Sequence, residues 1–171
     1  MRIELDRLEE EGGRFSRTYE PGELSLDDDE VGLVEPAEVS GRVRRDGKEV
    51  ELSGELHAKI KTACDRCLQP VNLSIGAEFK ERFVPAVSWR AEQQHELQEA
   101  DLNLAVFDGE AIEVDDLVRE EILLAVPAHV LCREDCKGLC PVCGIDRNQG
   151  GCQCEKKAND SRWQGLENLR F

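Results

Sequence analysis

The chain has 171 residues and eight cysteines, with 22 Lys/Arg against 37 Asp/Glu and a formal net charge of −15. That length can bury close to ~70% of the unfolded surface, enough for one core plus a small appendage. The charge is uneven. Residues 129–171 carry seven Lys/Arg and six Asp/Glu, which leaves a formal −16 on residues 1–128. An acidic body repels phosphate, so broad, charge-driven nucleic-acid binding is disfavoured. Any RNA contact is expected to be local and C-terminal. The opening Met1-Arg-Ile-Glu-Leu-Asp lacks the apolar region of a secretory signal, and no run approaches the ~18 apolar residues of a membrane span. A cytosolic, thiol-reducing compartment is the expectation.

In chain order, Val39-x-Gly41-x-Val43 reads as a strand, and Asp46-Gly47 as a hairpin turn. Val50, Leu52, Gly54, Leu56, Ala58, Ile60, Thr62 and Cys64 then alternate with polar residues, the period of a half-buried strand. After the Cys64-x-x-Cys67 turn, Pro70 opens a third strand that alternates through Val71, Leu73, Ile75, Ala77, Phe79 and Phe83. Residues 38–84 therefore read as a three-stranded antiparallel meander. Residues 85–100 lose the pattern and read as a polar insertion or mobile loop. A short strand is expected at residues 103–107, closed by Asp108-Gly109.

Residues 114–126 read as a helix, with Val114, Leu117, Val118, Ile122 and Ala125 on one stripe. Asp115 and Asp116 favour its start and Pro127 ends it. Residues 160–169 could form a short amphipathic helix through Trp163, Leu166 and Leu169. The fold class is α+β: an antiparallel sheet able to curl toward a barrel, a packed helix, and a C-terminal cysteine-rich zinc-binding segment. The boundaries are a β-rich body at residues 1–128 and a metal-binding tail at residues 129–171.

The cysteines are the most specific signal. Six fall in one segment as Cys132-x3-Cys136-x3-Cys140-Pro-x-Cys143-Gly-x7-Cys152-x-Cys154, and Cys64 and Cys67 lie upstream. Thiols two or three residues apart converge on one point, as a tetrahedral ion requires. Cys140-Pro141-Val142-Cys143-Gly144 has the form of a zinc knuckle, with Gly144 free to take the positive φ that aims N–H groups at sulfur. In a reducing compartment metal is favoured over disulfides. A thioredoxin-like reading of Cys64-x-x-Cys67 needs a strand–turn–helix context, and its flanks read as strands.

The run Ala125-Val-Pro127…Leu131-Cys132-x-x-Asp135-Cys136-Lys137-Gly138-Leu139-Cys140-Pro141-x-Cys143-Gly144…Cys152-x-Cys154 resembles the bacterial and plastid YceD family, also called domain of unknown function 177. So do the Cys64-x-Arg66-Cys67-Leu68-x-Pro70 turn and the block Asp115-Asp116-Leu117-Val118-Arg119-Glu120-Glu121. The resemblance covers most of the chain. It implies a role in accumulation of large-subunit (23S) ribosomal RNA, and so in processing or assembly of the large ribosomal subunit.

Eight thiols can make two four-cysteine sites. The preferred grouping is Cys140, Cys143, Cys152 and Cys154 for one, and Cys64, Cys67, Cys132 and Cys136 for the other. The alternative is a single site of Cys64, Cys67 and two tail cysteines, with the rest free. His129 is a candidate substitute ligand, although a histidine just past a helix end is more often a surface or capping residue. Zinc, as one or two ions, is the expected cofactor, ahead of iron in a rubredoxin-like site. All-thiolate closed sites leave no open position for a reacting water, so their role is structural.

No phosphate loop, nucleophile elbow or His/carboxylate constellation appears, and a non-enzymatic protein is expected. Two roles remain. A direct rRNA-binding factor would use Lys137, Arg147, Lys156, Lys157, Arg162 and Arg170, with Trp163 available for stacking but read first as packing. A protein–protein adapter or chaperone would shield basic ribosomal or processing proteins with its acidic body.

Overall fold

Alternation of apolar and polar residues builds the centre of the molecule. A computed structural model describes residues 1–5, 12–27, 30–91, 104–108 and 110–154. The strands are β1 (Arg2–Glu4), β2 (Gly13–Tyr19), β3 (Gly32–Leu33), β4 (Ala37–Asp46), β5 (Glu49–Ala63) and β6 (Pro70–Pro85), followed by helix α1 (Ala86–Ala91), β7 (Leu104–Phe107), β8 (Ala111–Glu113) and helix α2 (Val114–Leu124).

The meander expected at residues 38–84 is β4–β5–β6, paired antiparallel throughout. Gly47 turns the first hairpin at φ +61°. The main sheet runs β2-β4-β5-β6-β7, and β3 pairs with β5 beyond the end of β4. The sheet is not an all-antiparallel barrel. β7 joins β6 in parallel, and the hydrogen-bonded path ends at β2 on one side and β7 on the other. A barrel needs those two edges paired to each other. β1 and β8 form a separate two-stranded ribbon.

One face of the sheet is core. Val50, Leu52, Leu56 and Ile60 are fully buried, with Val39, Val43, Phe79 and Phe83 beside them. α2 covers this face with Val114, Leu117, Val118 and Ile122, the stripe expected from helical spacing. Each such side chain contributes about 1.5–3 kcal/mol of burial. The helix stops at Leu124, a little before the expected end; Ala125 caps it, still in right-handed helical backbone at φ −77° and ψ −9°, and Pro127, with no N–H to donate, follows two residues on. Its first turn is anchored by Asp115, which accepts hydrogen bonds from the Met1 ammonium and from the Tyr19 hydroxyl (2.6 Å), with Arg17 at 3.8 Å.

Part of the segment read as patternless is ordered: Ala86–Ala91 is α1. The helix suggested at residues 160–169 lies outside the described residues.

Candidate metal centre

Two turns of identical build carry four of the thiols. In the first, the Cys64 carbonyl accepts from Leu68 N–H (2.8 Å) and Cys64 N–H donates to the Gln69 carbonyl (2.9 Å). In the second, the Cys140 carbonyl accepts from Gly144 N–H (2.9 Å) and Cys140 N–H donates to the Ile145 carbonyl (2.8 Å). The residue after the second cysteine has positive φ in both, +60° at Leu68 and +74° at Gly144. Glycine announces that conformation in sequence and leucine does not, so the first knuckle was legible only as a turn.

The C-terminal segment is strapped onto the first knuckle. Asp65 N–H donates to the Val130 carbonyl, and Val130 N–H to the Asp65 carboxylate, both at 2.9 Å. The Arg66 guanidinium donates to the Cys136 carbonyl (2.9 Å), and Leu139 N–H to the Arg66 carbonyl (2.9 Å). Gly138 packs so closely that a Cβ there would lie 2.8 Å from the Arg66 oxygen, and its φ is +67°. Only glycine meets both conditions without strain.

The result is two groups of four sulfurs, Cys64, Cys67, Cys132 and Cys136, and Cys140, Cys143, Cys152 and Cys154. Within each group the ligand atoms lie within 4.8 Å of one another. Cys64 and Cys136 are 3.9 Å apart and Cys67 and Cys132 3.6 Å. A Zn–S bond of ~2.3 Å in a tetrahedron sets S···S near ~3.8 Å, whereas a disulfide needs ~2.05 Å. The donor set therefore fits a tetrahedral thiophilic ion. Cys64, Cys67, Cys136 and Cys140 are buried.

The electrostatics fit as well. Desolvation raises the Cys64 thiol, but N–H groups of Cys132, Cys67 and Arg66 outweigh it and bring it down to about 6. N–H groups of Cys143 and Val142, with help from Cys152, lower Cys140 to about 6. Desolvation and the neighbouring thiols Cys67, Cys136 and Cys64 push Cys132 up to about 12. Hydrogen bonding to Cys143, then desolvation, holds Cys154 at about 12. Each cluster thus prepares some thiolates and resists the rest until a cation compensates them.

Asn148 was not visible as a site residue. It lies between Cys143 and Cys152 but serves the other cluster. Its Nδ2 donates to Cys136 Sγ (3.4 Å) and Asp146 Oδ1 (2.8 Å), and its Oδ1 accepts from Lys137 N–H and Arg133, both at 2.8 Å. The signal available was the Asp146-x-Asn148 turn, in which short polar side chains bond local backbone. His129 belongs to neither cluster; its ring is exposed, 3.6 Å from the Asp65 carboxylate. Lys137 and Arg147 are exposed beside the clusters. Lys156, Lys157, Arg162, Arg170 and Trp163 lie outside the described residues.

Residues 52–170, a span that includes all eight cysteines, match the family described as large ribosomal RNA subunit accumulation protein YceD. The chain belongs to the YceD family. It is 25% identical over 167 residues to the uncharacterised protein YlbN of Bacillus subtilis, covering 97% of this chain and 92% of that one. It is 26% identical over 149 residues to an uncharacterised protein of Mycobacterium tuberculosis, covering 85% and 70%. An Arabidopsis thaliana protein named large ribosomal RNA subunit accumulation protein YCED homolog 1, chloroplastic, is 25% identical over 162 residues, covering 79% of this chain and 49% of the plant protein. No solved structure matches the chain. The YceD family name ties this chain to a ribosome-related role. Among the described residues no helix is long and apolar enough to cross a membrane.

Proposed function

We propose that this YceD protein is a cytoplasmic, non-enzymatic factor supporting 23S rRNA accumulation and large-subunit biogenesis, with zinc as its structural staple. The supporting observation is the pair of four-thiol clusters, each offering a full tetrahedral shell from protein alone. Cys64, Cys67, Cys132 and Cys136 would hold one ion and tie the β5–β6 turn to the tail. Cys140, Cys143, Cys152 and Cys154 would hold the second. A filled shell leaves no position for a reacting water, and what zinc supplies is folding free energy.

Elemental analysis of the purified protein is expected to give two zinc ions per chain, falling to one in Cys143→Ser. Depletion of the protein in cells is expected to lower large-subunit rRNA relative to small-subunit rRNA. A metal-free, folded protein would sink the zinc reading, and an unchanged rRNA ratio the ribosomal one. The formal −16 of residues 1–128 favours a second reading, an adapter that shields basic ribosomal proteins. Binding to isolated ribosomal proteins but not to isolated rRNA would select it.

A further inference from the structure

The outer face of the sheet carries a row of cations that the strand register assembles. Arg14 lies opposite Arg42, Arg42 opposite Ser53, and Ser53 opposite Lys80. The next row toward the hairpin is Arg44, Glu51 and Arg82. Like charges placed directly opposite destabilise a sheet, so the juxtaposition of Arg14 and Arg42 is unfavourable for the fold. Among the described residues, Arg14, Arg42 and Arg44 make no ion pair, whereas Lys80 meets Glu51 at 3.1 Å and Arg82 meets Glu49 at 3.8 Å.

Beside this row the surface is hollowed into an open groove of about 950 Å³. Its floor is backbone, at the paired Gly41 and Gly54 and their neighbours Phe15 and Phe79. The two phenylalanine rings, 6.5 Å apart, stand against the glycines on the core side: a Cβ on Gly41 would lie 2.7 Å from the Phe15 ring and one on Gly54 2.8 Å from the Phe79 ring. One wall is Arg14, Arg42, Ser53 and Lys80; the other is Ser16, Ser40, Glu55 and Glu78. The outward position is fixed by the lining, which includes those alternate residues and none of the core-facing Val39, Val43, Leu52 or Leu56.

We propose that this groove binds the phosphate backbone of large-subunit ribosomal RNA; the inference rests on the ribosomal reading above and names its contact surface. Four strands at ~4.8 Å spacing make the basic row ~14 Å long, enough for a stretch of polyanion rather than one small anion. An open trough suits a polymer. Arginine forks match phosphate oxygens, and Arg14 and Arg42 are exposed and make no ion pair among the described residues. The Glu55–Glu78 wall repels phosphate and holds the backbone to the basic side. On a body of formal −16, this row is a local attractor of the kind that allows RNA contact without general nucleic-acid affinity.

The test uses the full-length protein as purified, with a fluorescent large-subunit rRNA transcript as probe, titrated at several salt concentrations. R14S/R42S/K80S is expected to weaken binding at least tenfold and to flatten the slope of log K against log salt by about 2, as loss of three phosphate contacts requires. K137S/R147S is expected to change it less. Wild-type-like binding and slope in the triple variant would overturn the groove while leaving the ribosomal reading intact. So would normal rRNA levels in cells relying on the triple variant. Equal binding of a polyglutamate peptide, lost in the same variant, would overturn it by assigning the groove to a protein ligand. Thermal melting checks folding; if the triple variant does not fold, Arg14→Ser alone, on edge strand β2, must flatten the slope by about 0.7–0.9.

Discussion

At the residue scale, the cluster that ties sheet to tail depends on side chains that are not ligands. Asn148 donates to Cys136 Sγ while its carbonyl is fixed by two further donors. Groups of this kind hold a ligand in place, and their loss typically costs 10–100-fold in metal affinity. Asn148→Ala is therefore expected to weaken zinc at the Cys64 cluster by about 10–100-fold in competition against a chelating dye; unchanged affinity would remove it from the site. Leu68 and Gly138 make a contrasting pair. Leu68 is 64% exposed and sits at φ +60°, so no packing requires a side chain there. Left-handed backbone costs a non-glycine residue about 1–2 kcal/mol, and glycine's extra unfolded-state entropy offsets part of the relief. Leu68→Gly is expected to raise stability slightly, by less than about 1 kcal/mol, and Gly138→Ala to lower it by about 2–3 kcal/mol through strain and the clash with Arg66. Urea unfolding of both variants with zinc bound decides. The local cysteine pairs were open to a sequence reading because spacing limits which sulfurs can meet, while spacing left a single site of Cys64, Cys67 and two tail cysteines open as an alternative. Leu68 and Asn148 were not legible, since leucine does not announce a positive φ and the sulfur that Asn148 meets, Cys136, belongs to the other cluster.

At the element scale, β4, β5, β6, β7 and α2 were legible in the sequence, whereas β1, β2, β3 and β8 were not. β4, β5, β6 and α2 follow from alternation and helical spacing because one face of each is core. β1, β3 and β8 are two or three residues long and exist through pairing with distant partners, which no local pattern encodes. The parallel sense of β7 depends on where the chain re-enters beside β6, again a tertiary outcome. The anchor of α2 makes a pH-dependent prediction. Burial raises the Asp115 carboxyl, but hydrogen bonds from the Met1 ammonium and Tyr19, and Arg17 nearby, bring it below its ordinary 3.8. A depressed folded-state value means the stabilisation is present at neutral pH and is lost as pH falls through that value. Asp115→Asn is expected to cost about 1 kcal/mol at pH 7, modest because the side chain is 37% exposed, and progressively less as the pH falls below 3.8. Glu81 has the opposite sign. Burial, then Glu120 and Glu121, raises it above 4.5, so its charge destabilises the fold at neutral pH. Glu81→Gln is expected to stabilise at pH 7, with the gain vanishing below about 4.5. Chemical denaturation of both variants at pH 7 and pH 3 tests the two signs together.

At the scale of the whole molecule, charge summed along the chain concealed how charge is arranged in space. Arg14, Arg42, Arg44, Lys80 and Arg82 are dispersed in a strongly acidic segment, and only strand register makes them neighbours. Apolar packing is arranged just as unevenly. The main core gathers residues from β2 to α2, whereas the cluster around the first knuckle consists of Cys64, Cys67 and Cys136 with partly buried Val71, Leu131 and Leu139. So little apolar surface, helped by backbone hydrogen bonds of about 1 kcal/mol each, is not expected to fix the segment from Val130 to Cys154 on the body by itself. A structural zinc site supplies about 10–16 kcal/mol of apparent binding free energy, more than enough to decide the matter. Chelation at neutral pH is therefore expected to release this segment without unfolding the sheet. In hydrogen exchange, the amides of Leu139, Cys140 and Gly144, which donate to Arg66, Ile145 and Cys140, should lose protection on metal removal. The β4–β5–β6 amides should keep theirs, since their pairing and the packing of α2 involve no thiol outside Cys64 and Cys67. Retained protection at Leu139 and Cys140 after complete metal removal would show that backbone pairing with the Cys64–Cys67 turn suffices. Simultaneous loss in β5 would show instead that metal and core fold as one unit.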